Sequence, residues 1–170
     1  MTKTKRQFGT WSSPVSAESL AGEKRLYDVQ WANDETLLWV ETRGKHTALV
    51  LQEGVNVARD LTPLSVRGRV GYGGGEFHVF GNQIVFSTGD RLYRTGLDRS
   101  PAIPLTPSFG GHAAPKISPD GRYVVYVHTY EGRDGLAIVD IGGEQWGRKL
   151  LFGTDFVMQP VWHPSGQKIA

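Results

Sequence analysis

The chain has no cysteine, which excludes disulfides, thiol catalysis and cysteine metal sites and permits a reducing compartment. It has no apolar run near the roughly 18 residues of a membrane span. Its basic start, Lys3 to Arg6, leads into Gln7-Phe-Gly-Thr-Trp11, so the h-region of a secretory signal is missing as well. An excess of one charge is also lacking: 19 Lys and Arg against 17 Asp and Glu give +2, no basis for a nucleic-acid partner. No G-x-S-x-G elbow, H-E-x-x-H pair or Walker lysine occurs. The expectation is a cytoplasmic protein with no cofactor, no metal, no nucleic acid and no membrane; the oligomeric state is unspecified.

Glycine and proline, by contrast, are plentiful. There are 22 and 9, spread along the 170 residues rather than clustered. That distribution suits many short strands joined by turns. Residues 1–24 carry no clear period and read as a lead-in, with Ser16–Gly22 as a helical turn or two. From residue 25 a pattern sets in. Arg25–Trp31 and Thr36–Thr42 read as strands around Ala32-Asn-Asp-Glu35. His46–Leu51 follows, then Asn56–Pro63 as a fourth strand that proline stops.

The same events recur. Glu76–Phe80, Gln83–Ser87, Arg91–Thr95 and Ala102–Pro107 make a second unit. Pro115–Ile117, Tyr123–Val127, Gly135–Asp140 and Arg148–Phe152 make a third. A fourth begins at Gln159 and runs to Ala170. Trp31, Val79, Ile117 and Trp162 each precede the first turn of a unit, at offsets of 48, 38 and 45 residues. The Leu61-Thr-Pro63 and Leu105-Thr-Pro107 triplets repeat at an offset of 44.

Four-stranded units of 40–50 residues are the signature of β-propeller blades. The expected fold is therefore all-β, an incomplete propeller of about three and a half blades. Its blades lie at 25–63, 76–107, 115–152 and, in part, 159–170. Propellers close with four to eight blades, so the chain reads as an N-terminal fragment of a longer protein.

One segment stands out as a candidate site. In Ser65-Val-Arg-Gly-Arg-Val-Gly-Tyr-Gly-Gly-Gly-Glu-Phe77, the glycines around Tyr72 allow close backbone approach to a ligand. Arg67 and Arg69 are suited to bidentate recognition of a carboxylate. Arg67, Arg69, Tyr72, Gly73, Gly74 and Gly75 are the candidate substrate-binding residues. The alternative is a tight crossing between blades with solvated arginines. Of the five histidines none has ligand spacing. His78 and His128 fall on strands, and His112, in the loop Phe109–Pro115, is the one to follow. No residue qualifies as catalytic.

The order Val66–Phe77, Asp90–Arg94, Leu105–Pro107, Pro115–Arg122 and Asp155–Pro164 resembles the N-terminal propeller of the prolyl oligopeptidase family of serine peptidases. Within it, the acylaminoacyl-peptidase or dipeptidyl-aminopeptidase-like branch is the nearest in pattern, over about residues 8–170. The Ser-Pro-Asp-Gly hairpin is shared with TolB-type propellers.

The resemblance implies a downstream α/β-hydrolase domain carrying Ser, Asp and His, absent here, with the propeller gating access to it. It also implies short peptides or acylaminoacyl peptides as substrates, and Arg67–Gly75 as a lining of the substrate chamber. Many members carry His-Glu where Gly71 stands alone, so nothing is carried over for those side chains. A non-enzymatic TolB-like or WD-type interaction propeller is the alternative.

Overall fold

The computed structural model describes residues 5, 7–10, 24–68, 75–143, 146–154 and 156–170. Ser16–Gly22, the expected helical turn, lies outside them. Among the described residues twelve strands form three antiparallel sheets of four, each in sequential order. The first holds β1 (Lys24–Trp31), β2 (Thr36–Arg43), β3 (His46–Glu53) and β4 (Arg59–Asp60). The second holds β5 (Phe77–Phe80), β6 (Gln83–Ser87), β7 (Leu92–Gly96) and β8 (Ile103–Pro104). The third holds β9 (Gly111–Ile117), β10 (Tyr123–Tyr130), β11 (Arg133–Asp140) and β12 (Arg148–Thr154). The opening strands β1, β5 and β9 are neighbours in space, as the inner strands of a propeller are. The fold is all-β, an incomplete propeller.

Turn chemistry sets the registers. Gly44 and Gly81 take φ of 61° and 57° at the first position of two-residue turns, where a hairpin of right-handed twist demands a positive φ. Glu131 and Gly132 both take positive φ between Tyr130 and Arg133. In the Ser118–Gly121 turn, Gly121 N–H donates to Ser118 O at 2.9 Å, and Ser118 Oγ donates to Asp120.

Some expected bounds differ. Only Arg59–Asp60 of Asn56–Pro63 pairs as a strand, and only Ile103–Pro104 of Ala102–Pro107. These outermost strands have a partner on one side alone, and proline supplies no donor. The third unit opens earlier than Pro115, at Gly111, which moves His112 from the expected loop onto β9.

Strand periodicity distributes the core. Ile84 and Phe86 on β6 face the first sheet, packing with Leu38, Val40, Leu49 and Leu51. Val85, between them in sequence, faces the third sheet with Val124, Tyr126 and Val139. The second sheet is thus covered on both faces.

The four repeat anchors are equivalent in space. Trp31 pairs with Leu37, Val79 with Ile84, Ile117 with Val124 and Trp162 with Ile169, each across the first hairpin of its unit. Val79 and Ile117 point back into the preceding sheet and are buried. Trp31, on the face turned away from the second sheet, is 65% exposed. At the other end of the array Phe156, Met158 and Val161 are also exposed.

Candidate functional site

Gln30 and His78, each the residue before an anchor, point the other way, into the next blade. Gln30 Oε1 accepts from Val79 N–H at 3.2 Å, and Gln30 Nε2 donates to Phe77 O at 2.9 Å. One blade on, His78 Nδ1 accepts from Ile117 N–H at 3.1 Å. That bond requires the neutral ring protonated on Nε2. Burial, with the Lys116 charge beside it, brings His78 down to about 4. At the next seam the direction is the same but side chain and backbone exchange roles: Trp162 Nε1–H donates to Lys116 O at 2.9 Å.

The segment around Arg67–Gly75 is held at both described ends. Arg69, Tyr72, Gly73 and Gly74 lie outside the described residues; Arg67 and Gly75 are within them. Arg67 N–H donates to Ser87 O at 2.8 Å. Ser87, fully buried, also donates its N–H to Glu76 O at 2.9 Å and its hydroxyl to His112 O at 2.7 Å. One serine therefore ties together the start of the loop, its end and the inner strand of the next blade. Gly75 has φ of +69°, and its O accepts from Ala114 N–H at 2.7 Å. A Cβ there would lie 2.8 Å from Ala114 Cα, so only glycine brings the loop this close to β9.

Behind Gly75 stands a carboxylate pair that the sequence reading passed over. Register shifts in β1 between Tyr27 and Gln30, where Asp28 takes φ of 51°. This bulge aims Asp28 Oδ2 at Glu76 N–H (2.7 Å) and Phe77 N–H (3.3 Å). Burial first, and then the Asp28 charge, push the Glu76 carboxyl above its usual range. No short sequence spacing announces this pair, because 48 residues separate its members.

His112 is buried, its ring stacked on Tyr126 and edge-on to His128. Burial and the nearby His128 hold it down at about 4. Among the described residues no cluster of His, Asp and Glu is arranged to hold a metal. His163 Nδ1 lies 2.9 Å from Ser165 Oγ, but it also accepts from Ser165 N–H, a local turn and not a nucleophile with its base. What this end of the inner strands offers is a backbone loop fixed at both ends beside two carboxyl groups.

No family model matches this sequence, and no curated protein matches it. Solved structures do. A puromycin-hydrolysing peptidase of Mycobacterium tuberculosis superposes with a TM-score of 0.75 and 25% identity, covering 98% of this chain and 30% of that one. TolB from Acinetobacter baumannii gives 0.59 and 18%, covering 79% of this chain and 34% of that one. A TolB-type protein from Agrobacterium tumefaciens gives 0.58 and 19%, covering 79% and 49%. The chain thus spans from under a third to about half the length of the structures it matches. The TolB likenesses bear on the fold alone; with the peptidase beside them, the chain fits the propeller portion of a prolyl oligopeptidase-like peptidase.

Proposed function

We propose that this chain is the gating propeller of a serine peptidase that hydrolyses short peptides or acylaminoacyl peptides. The catalytic serine, histidine and aspartate would stand on an α/β-hydrolase domain outside these 170 residues. The hydrolytic step would be acyl transfer to the serine with histidine as base. In this reading the Arg67–Gly75 segment, with Arg69, Tyr72, Gly73 and Gly74, lines the chamber through which substrate passes. Arg67 and Arg69 would pair with a substrate carboxylate. A cytoplasmic location belongs to the same proposal.

The observation that carries it is the near-complete overlay of this chain on a part of a peptidase known to hydrolyse puromycin. The test is to express the complete gene product and treat it with a fluorophosphonate probe and chromogenic aminoacyl substrates. Labelling of one serine in a G-x-S-x-G segment, with turnover, is the expected result. A full-length product with no labelled serine and no turnover would leave the second reading, a non-enzymatic interaction propeller. That alternative has the fold of the TolB neighbours.

A further inference from the structure

Two cavities adjoin between the second and third sheets, sharing Pro107 and Trp146 in their walls. The larger, about 510 Å³, has an aromatic side. There the His112 ring stacks on Tyr126 at 5.3 Å between centroids, His128 meets His112 edge-on at 5.1 Å, and Phe109 stacks on His128 at 6.1 Å. Trp146 stands at the junction, 81% exposed. The smaller cavity, about 320 Å³, is bordered by Arg91.

Two polar atoms at this groove lack partners: Arg91 Nε and His112 Nδ1 are buried without a hydrogen bond. Native proteins leave few such atoms unpaired. Among the described residues the charged ones lining the two cavities are Arg91 and Lys149, both cations. Asp90, next to Arg91 in sequence, is turned to the Ser108 and Thr88 hydroxyls. Volumes of this size, apolar with a few polar groups, are those of small-molecule sites.

We propose that this groove binds a small aromatic carboxylic acid. Its ring lies against the His112, Tyr126 and Phe109 wall under Trp146, and its carboxylate meets the Arg91 guanidinium across the Pro107 ridge. A guanidinium whose Nε–H is buried without an acceptor is matched in shape and charge by a carboxylate, and the rings offer an apolar face for stacking. This site is independent of the peptidase reading.

Isothermal titration calorimetry with 2-naphthoate, beside the uncharged 2-naphthalenemethanol, tests it. The expected result is one site for naphthoate with a change in tryptophan emission. Arg91→Gln should weaken naphthoate roughly tenfold or more, towards the alcohol, and Trp146→Ala should weaken both compounds. Arg91 Nε has no hydrogen bond to lose and Trp146 is exposed; circular dichroism verifies that both variants retain the fold. No naphthoate binding by folded wild-type protein would overturn the proposal. So would equal binding by wild type and Arg91→Gln, or equal affinity for the acid and the alcohol.

Discussion

Acid should loosen the seam between the second and third blades. His78 accepts the Ile117 N–H only as the neutral ring, and protonation would turn that acceptor into a donor facing a donor. Its folded-state value is brought from 6.5 to about 4. For a base so depressed, the unfolded chain takes up the proton first, and stability falls as pH falls. The full contribution is present above about pH 6.5, is lost through the window from 6.5 to 4, and changes no further below it.

A depression of that size corresponds to about 3 kcal/mol, or a shift of roughly 6–12 °C in melting temperature for a chain of this length. His112 adds a loss in the same window. Glu76, whose carboxyl is raised, acts in the opposite sense. The informative experiment is therefore a difference. His78→Gln replaces the titrating acceptor with the amide oxygen that Gln30 already uses one seam earlier. Thermal melts of both proteins from pH 8 to pH 4 should coincide in slope above 6.5 and diverge below it, the variant becoming relatively more stable. Parallel curves across the whole range would refute the argument, because His112 and Glu76 cancel in the comparison.

Two further substitutions probe the anchoring of the candidate loop. Gly75→Ala forces a Cβ against Ala114 at a positive φ and should cost about 1–3 kcal/mol, read by chemical denaturation. A loss below a few tenths would mean the approach to β9 is not tight. Ser87→Ala leaves His112 O and Gly89 N–H without the hydroxyl they share and should cost about 1–3 kcal/mol for each group left unsatisfied. Amide exchange at Arg67, whose N–H is held by Ser87 O, should accelerate in the same variant; unchanged protection there would separate the hydroxyl from the loop.

The blade repeat was legible because it is written in local chemistry. Gly44, Gly81 and Gly121 stand where tight turns require them, and β-branched runs flank them. The anchors Trp31, Val79, Ile117 and Trp162 could be aligned by eye, and each pairs at the equivalent place. Short outer strands were over-read, since Asn56–Pro63 and Ala102–Pro107 have strand-like composition but one neighbour each. The seams were invisible for a different reason. Asp28 meets Glu76, and Gln30 meets Val79, across about fifty residues, and nothing in a bulge at Tyr27–Gln30 marks it in a single sequence. Arg91 and His112 belong to the same class: both look ordinary until the cavity beside them and their missing partners are seen.

The three seams also bear on a problem of order. A chain built from similar blades risks docking the wrong pair during folding. Here each junction speaks a different dialect: an amide that both gives and accepts, an imidazole that only accepts, then a lysine carbonyl that takes an indole proton. The seams thus label blades of one plan with different chemical groups.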